Sequence, residues 1–184
     1  MNVRRLGWLS VTLVVVLSLA LPVTSFAASK SELDSTSQKA LNRLLAEVPA
    51  AKALNQKALA VLVFPSITKA GFMVGGQFGE GVLYKKGKVA GYYNTTGASY
   101  GLQAGAQKYG YAMFFMNASA LKALDSTKGM EVGVGPSVVV VDSGMAKTTS
   151  TTTMTQDVYA FIFSQKGLMA GLGLQGNKIT RIKK

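Results

Sequence analysis

The sequence predicts an α+β domain: two N-terminal helices and one inserted helix against a curled, mostly antiparallel β-sheet or barrel-like core. Three observations carry that prediction. Apolar residues between Leu33 and Val48 recur at helical spacing. From Ala58 onward the pattern changes to short apolar runs punctuated by glycine. Twenty glycines stand in a chain that is 48% hydrophobic, the balance of a tightly turned globule rather than of a disordered one. Strands joined by such short turns must be mostly antiparallel, because a parallel pair needs a crossover of about a dozen residues or more.

Length and composition narrow the chemistry. A chain of 184 residues fits one or at most two small domains with a core of useful size. It has no cysteine, which excludes a disulfide framework, a thiolate metal site and a thiol nucleophile. It also has no histidine, so Ser-His-Asp catalysis, His-ligated zinc and His-ligated haem are excluded. No cofactor and no metal is expected. The formal net charge is +12 and the pI near 10.0, a balance that by itself selects no partner.

The first 27 residues read as a signal peptide. Arg4 and Arg5 form a basic start, Leu6 to Leu21 is an uncharged apolar run ended by Pro22, and Ser25-Phe26-Ala27 supplies small residues for cleavage after Ala27. The apolar run falls short of the ~20 residues of a spanning helix, which disfavours an uncleaved anchor. Cleavage leaves residues 28–184 as a single domain, with a helical segment at 28–57 and a β-rich core at 58–184. Removing Arg4 and Arg5 takes the charge from +12 to +10. A periplasmic or secreted location follows, with membrane association as a further expectation.

The helices come first. Ser29 and Glu32 have the spacing of a capping box, and Leu33, Ala40, Leu41, Leu44, Leu45 and Val48 make one apolar stripe. Pro49 ends that helix and opens a second at Pro49–Lys57. Ala58–Phe64, closed by Pro65, reads as a buried strand. Strand-like pieces follow at Gly71–Gln77, Gly79–Tyr84, Val89–Thr95, Ala98–Gln107 and Tyr109–Met116, with a hairpin turn at Lys85-Lys86-Gly87-Lys88. Asn117 caps a helix of about Ala118 to Thr127, closed near Gly129. Strands resume at Met130–Gly135 and Ser137–Asp142. Thr148–Thr155 reads as an exposed loop or edge strand, and Val158–Gln165 and Leu168–Gln175 lead into Asn177–Ile182.

Motifs that suggest catalysis fail on context. Gly171-Leu-Gly-Leu-Gln-Gly176 spells G-x-G-x-x-G, but a strand-like segment follows where a dinucleotide site needs a helix. Glycines that permit close strand packing explain it. Ser66-Ile-Thr-Lys69 spells S-x-x-K without the S-D-N and K-T-G partners of penicillin-interacting enzymes. Asp125, Glu131, Asp142 and Asp157 are scattered along the chain. No catalytic residue is assigned, and the chain is read as non-enzymatic. An outer-membrane barrel is disfavoured by the continuous apolar runs Met113–Met116 and Val138–Val141, since lipid-facing strands alternate apolar with polar.

From Lys52 to Lys184 the chain resembles the SYLF domain family, also called the lipid-binding or actin-binding SYLF domain. The segments that carry the likeness are Lys57–Phe72, Gly75–Val82, Tyr92-Tyr93, Ala98–Gln107, Ala112–Asn117 and Tyr159–Leu172. The resemblance implies a phospholipid-binding module, here a bacterial, secreted, single-domain member. Relatives in eukaryotes bind phosphoinositides, partly through a basic amphipathic N-terminal segment, and some bind actin. Actin is not a partner an exported protein would meet, and nucleic acid is disfavoured by the signal peptide. What carries over is affinity for anionic headgroups, with Lys39, Arg43, Lys52, Lys57 and Lys69 as the matching lipid-binding candidates.

Charge alone sets a limit on such binding. Each basic group near an anionic membrane contributes about 1 kcal/mol, so the hairpin lysines Lys85, Lys86 and Lys88 together fall short of millimolar affinity. If the Leu33–Val48 stripe docks on the core instead of on lipid, membrane contact is weak and reversible. The function expected is thus an exported domain binding anionic phospholipid, or a similar envelope polyanion, through a basic surface. The alternative is a periplasmic structural or assembly protein that contacts an envelope protein, its basic surface serving only solubility.

Overall fold

The computed structural model describes residues 28–142, 155–167 and 176–184. The expected signal peptide, the Thr-rich stretch at 148–154 and all of the G-x-G-x-x-G motif except Gly176 lie outside the described residues.

Helix α1 (Lys30–Glu47) begins at the expected cap, where the Glu32 N–H donates to the Ser29 hydroxyl at 3.2 Å. It stops at Val48, held extended by the proline that follows, and Pro49 opens α2 (Pro49–Lys57). Helix α3 (Ala118–Leu124) is capped by Asn117, whose side-chain oxygen accepts from the Ala120 N–H at 2.9 Å. It ends three residues before the expected Thr127. The Ser126 hydroxyl donates to the carbonyl of Gly129, which takes the left-handed φ of 76° that reverses the chain.

The strands differ most from the sequence reading. The six pieces expected between Ala58 and Met116 are two very long strands, β1 (Ala60–Lys85) and β2 (Lys88–Phe115). They pair antiparallel from Ala60 opposite Phe115 to Lys85 opposite Lys88 and turn at Lys86-Gly87, where φ is 50° and 75°. Glycine in these strands is a bend and not a stop. The register shifts at Phe64/Ile67, Phe72/Val74 and Leu83/Tyr84, so bulges let the ribbon curl without breaking its ladder.

The curl is tight enough to bring β1 back upon itself. A Cβ built on Gly79 would lie 2.9 Å from the Ser66 carbonyl oxygen, and one on Gly81 would lie 2.6 Å from that of Val63. The residues from 66 to 79 would span ~43 Å in a straight strand.

The remaining strands complete a mixed sheet on the other edge of β2. Strand β5 (Val158–Gly167) pairs antiparallel with the second half of β2 and β6 (Lys178–Ile182) with the first. Strand β3 (Met130–Glu131) lies outside β6. Strand β4 (Val138–Asp142) is the exception to the antiparallel expectation: it runs parallel to β5. The order is β3-β6-β2-β5-β4, with β1 on the opposite edge of β2, and the whole is a curled half-barrel. The Asp157 carboxylate ties α3 to β4 and β5, accepting from the Asn117 amide at 2.6 Å and from the Ser137 N–H at 2.8 Å.

Alternation along the strands makes two cores. One face carries Val61, Val63, Val82, Phe114 and Phe161, and the buried stripe Leu33, Leu41, Leu44, Val48 and Leu54 of α1 and α2 packs on it. The first helix is therefore docked on the sheet. The opposite face carries Leu62, Phe64, Tyr93, Met113, Phe115 and Ile162, closed by Ala120 and Leu124 of α3. This inner face is the concave one. Thr95 and Tyr111 both point into it, sixteen positions apart on β2, and the Thr95 hydroxyl still acts on the Tyr111 hydroxyl.

Candidate functional site

The five lipid-binding candidates separate in the structure. Lys39, Arg43, Lys52 and Lys57 are exposed on α1 and α2, whereas Lys69 is buried at 6% exposure on the inner face of β1. The two helices also differ in charge. Lys30, Lys39 and Arg43 of α1 are balanced by Glu32, Asp34 and Glu47, so this helix has no net charge. Arg43 is paired with Glu47 at 2.8 Å. Lys39 lines a groove of about 450 Å³ between α1 and the two bends of β1, which also holds Glu32 and Glu80. Glu80 in turn accepts from the Lys184 ammonium at 2.9 Å. Helix α2, by contrast, carries Lys52 and Lys57 and no acidic residue.

The end of the molecule that holds the β1–β2 turn adds to α2. A second groove, of about 380 Å³, runs between α1, the C-terminal end of α2 at Asn55 and Ala58, and the turn residues Lys86 and Gly87. Lys57, Lys86 and Lys88 are exposed around this end. Lys85 and Arg181 both face Asp125, at 3.9 and 3.6 Å. Asp125 also accepts from the Tyr93 hydroxyl at 2.5 Å, which anchors the turn to α3 and the inner core. The turn lysines were visible in the sequence as a charge run. Their meeting with α2 was not, because it depends on how the helix docks.

The concave face has a polar layer that the sequence reading did not single out. Gln77, Thr95, Gln107, Tyr109, Tyr111 and Asn177 lie there with Lys69, which stands directly opposite Gln107 in the β1–β2 register. The Tyr109 hydroxyl donates to Gln77 at 2.7 Å, and the Gln77 amide donates to Asn177. Gln107 Oε1 and Asn177 Nδ2 of this layer are buried without a hydrogen-bond partner, while the buried Thr95 and Tyr111 hydroxyls act on each other.

Burial of the tyrosines gives the domain an alkaline limit. Desolvation pushes Tyr109 up to about 12, and desolvation followed by the charge of Asp34 pushes Tyr84 to the same value. Burial raises Tyr93 and Tyr111 further. Because the unfolded pKa is ~10, the stabilisation is complete below that pH. It is lost as pH rises from there toward the folded values, since the unfolded chain then releases protons that the folded one keeps. The urea midpoint is expected to be flat between pH 7 and 9 and to fall steeply by pH 11.5; an equal midpoint at pH 8 and 11.5 would contradict this burial.

Ser66 and Lys69 do not form a nucleophile pair. Both lie on β1, where Ser66 is exposed and Lys69 is buried, so the two side chains leave opposite faces of the sheet. Among the described residues no three His, Cys, Asp or Glu side chains are placed to hold a metal ion, and no helix is long and apolar enough to cross a membrane.

Fold and site together define a class: a curled β-ribbon domain with docked helices, an exposed basic end and a polar-lined concave face. Residues 96–184 match the model of the Ysc84 family, described as Las17-binding protein actin regulator, a match consistent with a member of the SYLF domain family. The span runs from within β2 through α3 to the C-terminal lysine, and the likeness read at Lys57–Val82 lies before it. The SYLF family is known for binding lipids and actin-related partners. No curated protein matches the chain.

Proposed function

We propose that residues 28–184 form an exported, non-enzymatic domain that binds anionic phospholipid surfaces peripherally, through the basic end made by α2 and the β1–β2 turn. The observation that carries this reading is the docking of the α1 stripe on the sheet. Leu33, Leu41 and Leu44 are 2–6% exposed, so the helix offers lipid no apolar face, and attraction rests on exposed charge. Lys52, Lys57, Lys86 and Lys88 at about 1 kcal/mol each give roughly millimolar affinity, reversible and weakened by salt. The lipid binding known for the SYLF family supports the ligand class.

Charge reversal tests the assignment. In cosedimentation of residues 28–184 with phosphatidylglycerol vesicles, K86E/K88E is expected to lower the bound fraction at least five-fold, about 1 kcal/mol. K39E/R43E is expected to change it less than two-fold, because α1 is already charge-balanced. The reverse ranking would move the site to α1. The second reading, an envelope protein partner, is favoured by β4, which ends the sheet order and exposes Val139 and Val140. Absence of binding to any vesicle would favour it.

A further inference from the structure

We infer that two exposed apolar side chains, Leu59 and Val89, form an insertion tip at the basic end. They enter the interfacial layer of an anionic bilayer while the surrounding lysines hold its headgroups. The inference rests on the peripheral lipid reading above and adds the apolar element that charge alone lacks. Leu59 is 47% exposed and Val89 44%. They are far apart in the chain, yet the curl of the ribbon brings them to one groove. Leu59 stands between Ala58 and Ala60, and Val89 pairs with Tyr84 across the β1–β2 ladder. Ala58, Ala60 and Tyr84 all line the groove of about 380 Å³ that also holds Lys86 and Gly87. Side-chain parity puts both on one face of the sheet. Leu59, whose N–H donates to the Phe115 carbonyl at 2.8 Å, continues the alternation of Val61 and Val63. Directly paired residues of an antiparallel ladder share a face, so Val89 goes with Tyr84. Val61, Val63 and Tyr84 belong to the core that α1 and α2 cover. Leu59 and Val89 thus lie on that face, at a rim the helices leave open.

A single exposed apolar side chain is ordinary on a protein surface, so exposure alone carries nothing. What marks these two is their charge setting. Lys57 stands next but one to Leu59, Lys88 adjoins Val89, and Lys86 lines the groove itself. Among the described residues, none that lines this groove is acidic; its other polar side chains include the amides of Gln38, Asn42 and Asn55. Phe78, 42% exposed, has the opposite setting, in the groove that holds Glu32 and Glu80. An anionic surface repels carboxylates. Lysine ammoniums instead reach phosphates at the headgroup level and lay their aliphatic stems beside an inserted side chain. The apolar gain is bounded. Leu59 and Val89 together bring about half the carbons of a myristoyl chain, which by itself gives only marginal membrane binding. The tip therefore does not hold a neutral bilayer, and it acts once charge has brought the domain to an anionic one.

The test uses residues 28–184, which hold every described contact, with phosphatidylglycerol and phosphatidylcholine vesicles. The sequence's one tryptophan is Trp8, outside this span, so L59W or V89W supplies a single reporter. Each is expected to shift its emission to shorter wavelength on phosphatidylglycerol vesicles and to be quenched by nitroxide-labelled acyl chains, with no change on phosphatidylcholine. F78W, in the acidic groove, is expected to show neither effect. In cosedimentation at moderate salt, L59S/V89S is expected to lower the fraction bound to phosphatidylglycerol about five-fold. Its thermal midpoint should match that of wild type, because both side chains are exposed. K86E/K88E is expected to reduce the emission shift in step with binding. If L59S/V89S binds phosphatidylglycerol as well as wild type does, or L59W and V89W stay unshifted while bound, the tip is overturned and contact by charge alone stands. No binding of wild type to either vesicle overturns the tip and the peripheral reading together, and leaves this end to a protein partner.

Discussion

Valine at Gly81 is expected to prevent the domain from folding. A Cβ there would lie 2.6 Å from the Val63 carbonyl oxygen and 2.7 Å from the Phe64 ring, so both backbone and a buried aromatic side chain stand in its way. Val63 and Phe64 are fully buried between the two cores and cannot retreat toward solvent. Overpacking a core costs about 1–3 kcal/mol when side chains can shift, and more when the obstacle is main chain. The contact also joins the two ends of a bent strand, so relieving it means opening the curl on which the inner core depends. Against a total stability of about 5–15 kcal/mol, the variant should be unfolded or lack cooperative unfolding. Gly76 is the control: its nearest neighbour, the Gly97 carbonyl oxygen, is 3.9 Å from a built Cβ. Alanine at Gly76 should keep the wild-type urea midpoint. Equal midpoints for G81V and G76A would show that the ribbon does not curl as described.

The second large effect concerns the docked helix. Leu44 is 3% exposed and belongs to the core that α1 and α2 share with β1, β2 and β5. Leu44→Ala should cost about 2–5 kcal/mol, from lost apolar transfer and the cavity left behind. For a domain of this size that lowers the Tm by roughly 5–15 °C. Leu59, 47% exposed just before β1, offers the comparison: its replacement by alanine should change Tm by no more than a degree or two. A Leu44→Ala variant as stable as wild type would mean that α1 is not held on the sheet and that its stripe is free for another partner.

Local signals in the sequence were reliable wherever their physics is local. Ser29 and Asn117 cap helices as their side chains require, and Pro49 divides α1 from α2 at the expected residue. The stripe from Leu33 to Val48 gave the docked face of α1, since amphipathic spacing already states which side must be buried. Strand lengths were not legible. The glycine-punctuated pieces Gly71–Gln77 and Gly79–Tyr84 read as separate strands, yet Gly79 and Gly81 lie inside one continuous ladder. What they supply is space for the strand to meet itself, a long-range property that no window of neighbours contains.

The site was partly legible for the same reason. Lysines announce a basic protein, but whether a lysine faces solvent depends on strand parity. Lys69 follows a bulge at Phe64/Ile67 that switches parity, and so it lies inside. Acidic neighbours matter as much: Glu47 and Glu32 cancel in α1 the charge that Lys39 and Arg43 bring, whereas α2 has no such counterweight. The polar layer of Gln107, Tyr111, Thr95 and Asn177 gave no motif, because its members are joined only when β2 curls and β6 pairs beside it.

The proposed membrane contact is peripheral and charge-driven, with α1 docked on the sheet. Cosedimentation of residues 28–184 with phosphatidylglycerol and phosphatidylcholine vesicles, at low and at moderate salt, tests it most directly. Binding to the anionic vesicles alone, falling several-fold as salt rises from 0.05 to about 0.15 M, is the predicted result. Salt-resistant binding to both kinds of vesicle would contradict it, since only an inserted apolar face, such as an undocked α1, holds equally to neutral and anionic lipid.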